Sequence, residues 1–423
     1  MSKSMYKDCE IGSIPTNWNI QKLEELANVT GGKRLPKGSS LSEINNGHPY
    51  IRVSDMNDKG IQLDSMLYVP DDVVEQISRY RVDKDDLYIS VAGTLGLVGK
   101  VPDELNGANL TENADRISNI RCNTDFLLYC LKSDFIKKII NSEMTTNAQP
   151  KLALTKIKQF PIPVPPLKEQ QKIADILSSV DAAIEKTEQV IAKTEEVKKG
   201  LMQQLLTKGI GHTEFKQSNL GLIASNWDTK KLKEITQRIT DGAHYSPPTD
   251  EEGLPIATVE NMKGNAIDVA SCRRISNEEF NKLVANNCSP RKNDVLLSKD
   301  GTIGKVMVYE QDDDITLLSS IAIISVNDNM IMPHYLSYLL QSDMFYWNLN
   351  KFRSGSAIKR IVLKDINSLE FPIPTLSEQC KIVEILSIYD KKLNSETNNL
   401  TALKKIKLGL MQQLLTGQVR VKV

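Results

Sequence analysis

Four histidines and six cysteines are all the imidazole and thiol groups this chain of 423 residues offers, and their spacing builds no site. Cys9, Cys122, Cys130, Cys272, Cys288 and Cys380 include no C-x-x-C pair. They read as reduced thiols of a cytosolic protein, not as zinc ligands or a disulfide frame. An amino-methyltransferase would show Asn/Asp-Pro-Pro-aromatic. The nearest string, "SPPT" (246–249), has the wrong first and last residues. A nuclease would place a carboxylate ahead of Glu-x-Lys, but "EVK" (196–198) sits inside a long helical pattern with no acidic partner in register. No P-loop and no G-x-S-x-G occur. "AGTLG" (92–96) and "DGTIG" (300–304) lack the Lys-Ser/Thr that a phosphate cradle needs, so their glycines mark tight turns. Chemistry on a substrate is therefore not expected, nor a metal or cofactor of the chain's own. What remains is basic and polar side chains on loops.

The elements that carry those loops come twice. "GLMQQLLT" stands at 200–207 and again at 409–416, and a shift of about 209 aligns the rest of the chain with itself. Asn17-Trp18 meets Asn226-Trp227, "DLYISVAGTLG" (86–96) meets "DVLLSKDGTIG" (294–304), and "FLLYCLKSDF" (126–135) meets "YLSYLLQSDM" (335–344). "FPIPVPPLKEQ" (160–170) meets "FPIPTLSEQ" (371–379). A whole-chain repeat fixes the architecture before any single motif does.

Each copy opens with about 150 residues of short β-rich runs and Gly, Asn and Pro turns, closed by one amphipathic helix at 124–142 or 333–350. A Pro-rich lead then holds the chain extended. Behind it runs a helix of about 40 residues, roughly 60 Å long. Thr375 and Glu378 read as a capping box for the second of these helices. Ile173, Leu177, Val180, Ile184, Thr187, Ile191, Thr194, Val197, Leu201 and Leu205 form a near-heptad stripe, repeated from Ile382 to Leu414. So narrow and long a stripe must bury against a partner, and the other copy is nearest. The expected fold class is α+β: two tandem mixed α/β domains, 1–160 and 211–370, separated by spacer helices, 161–210 and 371–423, that form an antiparallel coiled coil with pseudo-two-fold symmetry.

Between 168–207 and 377–416 there are 17 identities in 40, clustered at the helix ends. Glu169, Gln170, Lys172, Ile173, Ile176, Leu177, Ser178 and Asp181 stand at one end, the octapeptide at the other, and Lys198 alone between. Gln203 and Gln204 lie off the seam. Gly200 and Gly409 each cost about 1 kcal/mol inside a helix, which suits close approach by another backbone. Antiparallel pairing would make two identical patches, hence sockets for two identical partners. The expected partner-binding residues are Glu169, Gln170, Lys172, Gly200, Gln203 and Gln204, with Glu378, Gln379, Lys381, Gly409, Gln412 and Gln413. The loops behave oppositely. "TGGKRLPKGSSLSEINNGHP" (30–49) faces "TDGAHYSPPTDEEGLP" (240–255), and "SEMTTNAQPKLALTK" (142–156) faces "NKFRSGSAIKRIVLK" (350–364). One scaffold with two unlike loop sets reads two different things.

Charge alone does not say what is read. The chain has 53 basic and 53 acidic residues, and no segment has a strong basic excess. No apolar run reaches the roughly 18 residues of a membrane span, and "MSKSMYKDCEIGS" lacks the apolar core of a signal peptide. A cytoplasmic location is expected. A coiled-coil adaptor with duplicated heads and no DNA role is the alternative, and it predicts equal loops.

"FPIPVPPLKEQQKIADILSSVD", "FPIPTLSEQCKIVEILSIYD", "KGLMQQLLT" and the paired "SVAGTLG"/"SKDGTIG", in this order and twice, resemble the specificity subunit of type I restriction–modification enzymes. The resemblance spans essentially all of both copies. It implies two target-recognition domains, each reading one half of a split, asymmetric site in double-stranded DNA. It implies helices that recruit two copies of a methyltransferase subunit carrying S-adenosylmethionine, and a restriction subunit that joins for ATP- and Mg-dependent cleavage. A half-site reader places polar side chains in the major groove and cations on phosphates. The candidate DNA contacts are Lys33, Arg34 and Lys37 in "GGKRLPKG", Lys351, Arg353, Lys359 and Arg360 in "KFRSGSAIKR", and the polar run Thr145, Thr146, Asn147 and Gln149. His244 and Tyr245 in "DGAHYSPP" resemble a loop common in these recognition domains.

Overall fold

The computed structural model describes residues 5–144, 151–351 and 360–422. The chain divides into two compact units: Met1–Glu188 with Asn398–Val423, and Gln189–Thr397. Each long helix is unbroken, Leu167–Leu205 and Leu376–Leu415, so each contributes one half to either unit.

In the first unit a four-stranded antiparallel sheet is made of β1 (Asn28–Gly31), β2 (Leu87–Ser90), β3 (Val98–Lys100) and β4 (Ala114–Ser118), in the order β3-β2-β4-β1. The second unit repeats it with β5 (Thr236–Asp241), β6 (Val295–Ser298), β7 (Val306–Val308) and β8 (Ile321–Val326), in the order β7-β6-β8-β5. β2 and β6 are buried at every residue, which is why "LYIS" and "VLLS" read as continuous apolar runs and not as alternation. A smaller three-stranded sheet accompanies each: Asn109–Leu110, Pro49–Ile51 and Leu67–Tyr68 in one, Arg273–Ile275, Leu254–Ala257 and Thr316–Leu317 in the other.

The turns after β2 and β6 are held from within. Ser90 Oγ accepts from Leu97 N and donates to the Thr94 carbonyl, and Ser298 does the same with Lys305 and Thr302. Gly93, Gly96, Gly301 and Gly304 have φ of 74°, 77°, 71° and 90°, a region that favours glycine. These are the tight turns that the sequence implies.

The amphipathic helix expected at the end of each globular part is two helices: Thr124–Leu131 with Asp134–Met144, and Pro333–Gln341 with Asp343–Lys351. The break falls on Ser133 and Ser342, whose buried hydroxyls turn back onto the Cys130 and Leu339 carbonyls. The Pro-rich leads are strands, Pro161–Val164 against Asn19–Lys22 and Glu370–Ile373 against Asp228–Lys231. Only half of the expected capping box forms. Glu378 N reaches Thr375 Oγ1 at 3.4 Å, while the Glu378 carboxylate points elsewhere.

Within each unit the start of one long helix lies against the end of the other, with opposite direction. In the first unit Asp181 pairs with Lys407 at 2.6 Å and Glu188 with Lys404 at 3.0 Å, so the partner number falls as the helix number rises. Ile173 and Leu177 share a core with Leu414 and Leu415. In the second unit Lys198 pairs with Asp390, and Met202, Leu205 and Leu206 share a core with Ile382 and Leu386. The stripe departs from its expected spacing at Val197 and Ile406, which are 39% and 51% exposed. Lys198 and Lys407 turn inward in their place because a carboxylate waits there.

Candidate functional site

The identities at the helix starts are explained inside each unit. Glu169 is buried. It accepts from the indole of Trp18 at 3.2 Å and pairs with Arg420 at 2.6 Å. Glu378 accepts from Trp227 at 3.1 Å, from the Ile210 backbone at 2.9 Å, and faces His212 at 2.8 Å. Gln170 donates to the Pro165 carbonyl and accepts from Asn123 N; Gln379 donates to the Pro374 carbonyl and accepts from Met332 N. Glu169, Gln170 and Gln379, buried, and Glu378, partly buried, are all hydrogen-bonded internally and weld each long helix to its sheet domain. They do not belong to an exposed docking patch, which corrects the expectation for these four. Asp181 and Asp390 accept from Tyr129 and Tyr338 at 2.8 and 2.5 Å while holding Lys407 and Lys198, so the lone central identity is one half of a cross-helix lock. Burial and the neighbouring carboxylate push both phenols far above their ordinary pKa. Tyr129 and Tyr338 were not singled out from the sequence, although both stand in its aligned "LLYCL" and "LSYLL".

The octapeptide behaves differently. Its leucines pack inward, but Gly200, Gln203 and Gln204 are exposed, and so are Gly409, Gln412 and Gln413. Among the described residues, a Cβ built on either glycine meets nothing within 4 Å. No internal packing requires glycine there. Lys172 and Lys381 are also exposed. Beside each octapeptide a groove opens against the Ser-Asp break between the paired helices. In the second unit its volume is about 700 Å³, with Met202, Gln203, Leu206, Ser342, Asp343 and Trp347 in the wall. In the first unit it is about 210 Å³, with Met411, Gln412, Ser133, Asp134 and Lys138 in the wall.

The loop residues gather at the end of each sheet. In the second unit β5 ends on Asp241, buried and paired with Lys299 at 2.9 Å. His244 Nε2 lies 3.0 Å from the same carboxylate. The Lys299 carbonyl accepts from Ile361 N, and Asp300 next to it faces Arg360 at 3.6 Å. His244 and Arg360, 116 residues apart in number, are thus tied to one turn. Tyr245 is exposed and donates to Glu279 at 2.5 Å, with Lys282 over its ring at 5.3 Å. Gly242 lets the loop cross the Leu317 carbonyl, where a Cβ would collide.

In the first unit Gly32 crosses the Thr111 carbonyl in the same way. Arg34 is 76% exposed and pairs with Glu112 at 2.6 Å, Lys33 lies 5.9 Å from the Tyr80 ring, and Lys37 is exposed. The registers put Gly31 where the other unit has Asp241, Val91 where it has Lys299, and Asp115 where it has Ala322. Asp115 is buried, and among the described residues its Oδ2 has no hydrogen-bond partner. Burial pushes its carboxyl up to about 6, against the pull of Lys151 and Lys158. Thr145, Thr146, Asn147, Gln149, Arg353 and Lys359 lie outside the described residues, and Lys351 closes the helix before the second of those stretches. Sequence reasoning missed the buried Asp241–Lys299 pair, because a lysine inside "SKDGTIG" looks like any turn lysine.

The model of the type I restriction modification DNA specificity domain matches the chain twice, over residues 15–196 and 224–405. The type I restriction enzyme MjaVIII specificity subunit of Methanocaldococcus jannaschii is 25% identical, over 97% of this chain and 94% of its own. The EcoBI specificity subunit of Escherichia coli is 24% identical, over 92% and 83%. The crystal structure of a type I restriction–modification S subunit from M. genitalium superposes with a TM-score of 0.56 at 16% identity, covering 94% of this chain and 96% of that one. At that identity the superposition speaks for the fold.

Proposed function

The chain belongs to the family of type I restriction modification DNA specificity domains, and from that we propose that it is the sequence-reading subunit of a type I restriction–modification complex. Each sheet domain reads one half of a split, asymmetric site in double-stranded DNA. The loops after β1 and β5, the turns after β2 and β6, and the segments leading to Leu152 and Ile361 face the duplex. Lys33, Arg34 and Lys37 serve one half-site, and His244, Tyr245 and Arg360 the other. The long helices, paired as a continuous antiparallel coiled coil, set the distance between the half-sites. Two copies of the methyltransferase subunit dock on the exposed Gly200-Gln203-Gln204 and Gly409-Gln412-Gln413 surfaces. S-adenosylmethionine, ATP and Mg are handled by partner subunits in the cytoplasm, and this chain is not itself a catalyst.

The observation that carries this reading is one framework built twice with unlike residues at the loop-bearing edge: Asp241, Lys299 and His244 in one unit, Gly31, Val91 and Arg34 at the same places in the other. Two heads for one common ligand would keep that edge alike. The test replaces 220–360 with the matching part of another family member and maps methylated adenines genome-wide in a host carrying the complex. One half-site changes and the other stays. A change in both, or in neither, refutes the domain-by-domain reading. Methylation by the chain with S-adenosylmethionine alone would refute its non-catalytic role.

A further inference from the structure

The two grooves beside the octapeptides occupy equivalent places yet have opposite chemistry. Gln203 and Gln412, Met202 and Met411, Ser342 and Ser133, and Asp343 and Asp134 are common to both walls. Thr207 and Thr416, Leu220 and Ile11, and Met344 and Phe135 also correspond, and Lys199 stands where the first unit has Leu408; the largest difference falls at three places. Lys132, Lys137 and Lys138 line the first unit's groove, where a shift of 209 puts Gln341, Tyr346 and Trp347 in the second. Among the described residues, no carboxylate lies within ion-pair distance of these three ammonium groups. Lys132 is also half-buried. Burial and the nearby Lys407 push its pKa down, against the weaker pull of Asp181 and Asp58. In the second unit the lysines of the wall are already neutralised, Lys198 by Asp390 and Lys199 by Asp343 at 3.6 Å. What that groove adds is apolar surface, a Trp347 that is 44% exposed beside Met202 and Leu206, whereas Met344 has its apolar counterpart Phe135 in the first groove. Its volume is about 700 Å³ against about 210 Å³.

We propose that both grooves take the same segment of the methyltransferase subunit, an apolar side chain next to a carboxylate, and hold it by different forces. In the first unit the segment is held through its carboxylate on Lys132, Lys137 and Lys138. In the second it is held through its apolar side chain, over Trp347, which stands where the first unit has Lys138. This rests on the reading that two copies of one subunit dock here. The octapeptide residues, common to both walls, give the shared part of the contact. The exposed glycines admit the segment's backbone. Charge complementarity names the carboxylate, and the exposed indole names the apolar anchor. Ion pairs between exposed groups are screened by salt, whereas apolar burial is not. The two copies must then differ in salt sensitivity.

The experiment is native mass spectrometry, with sedimentation velocity as a second readout, on the full chain co-purified with its cognate methyltransferase subunit. It runs from about 50 mM to about 500 mM salt, across which the Debye length shortens severalfold. A complex with two methyltransferase copies gives way to a complex with one as salt rises. Lys137→Glu with Lys138→Glu weakens one copy by roughly tenfold or more and leaves a salt-resistant single-copy complex. Trp347→Ala does the reverse and leaves a salt-sensitive one. Trp347→Lys makes both copies salt-sensitive. All these positions are exposed, so circular dichroism stays unchanged. Loss of both copies at one salt concentration, or equal weakening of both by either variant, overturns the proposal while leaving the docking reading intact. Absence of any complex at low salt overturns the docking reading and this inference with it.

Discussion

The buried Asp241–Lys299 pair supports a quantitative test, because the repeat contains a version of the same site without it. Lys299 is 2% and Asp241 7% exposed, and the pair bridges β5 to the turn after β6. Lys299→Met keeps the stem and removes the ammonium, leaving Asp241, among the described residues, with the exposed His244. Removing one partner of a buried pair costs about 3–5 kcal/mol, since a charge is left in a poorly solvated place. Asp241→Ala leaves the buried ammonium alone and costs a similar amount. For a unit of this size each kcal/mol moves the melting temperature by about 2–4 °C, so either single change lowers the second unit's transition by roughly 6–20 °C. The double variant removes both charges and approaches the Val91 and Gly31 solution of the first unit. It falls within about 1.5 kcal/mol of the wild type. Scanning calorimetry on the full chain, with hydrogen exchange on peptides from Thr236–Asp241, Val295–Ser298 and Ile321–Val326 to assign the unit, reads the result. Methylation then weakens at the second unit's half-site alone in the single variants. Additive single effects, with coupling under about 0.5 kcal/mol, would show that the two charges act independently and sink the argument.

Three further outcomes follow from the same geometry. Gly200→Leu with Gly409→Leu stabilises each helix by up to about 1 kcal/mol per site, because a Cβ meets nothing there, yet co-purification with the methyltransferase subunit is lost. Asp115 has a carboxyl raised from an ordinary 3.8 to about 6. The folded state therefore binds its proton more tightly, and the first unit loses about 2–3 kcal/mol of stability as pH rises from about 4 to about 6. Asp115→Asn flattens that part of the pH–stability curve, measured by urea titration followed with hydrogen exchange. Inserting four residues into each long helix, near 189 and 398, adds roughly 6 Å, just under two base pairs at about 3.4 Å each. Methylome mapping shows unchanged half-sites and a longer gap.

Much of this was legible in the residues because repetition exposes what must be kept. The doubled "FPIP…EQ" and "GLMQQLLT" fixed the order of elements, and buried runs such as "DVLLS" fixed the strands. Identity without position misled in one respect. Glu169 and Gln170 are kept for the same reason as Trp18, an internal hydrogen bond, while Gln203 and Gln204 are kept although nothing inside needs them. Sequence alone does not separate the two kinds, because exposure is set by which helix face meets the sheet domain. The break at Ser133 and Ser342 was invisible to periodicity. Apolar spacing continues through it, and only the buried hydroxyl turning back on its own helix reveals the corner. The Lys198 lock was hidden likewise, since a lysine on an apolar stripe reads as a solvated neighbour until its aspartate is found.

The first unit is assembled from two stretches on either side of Gln189–Thr397, with Leu414 and Leu415 in its core and Arg420 on the carboxylate that also holds Trp18. A ribosome therefore delivers all of Gln189–Thr397 before it delivers the segment that completes the domain it began with. The half begun first is completed later, and until Asn398–Val423 is delivered its Glu169 and the apolar flank around Ile173 and Leu177 stand open. A premature stop just beyond Thr397 would spare the later-made half and cripple the earlier one.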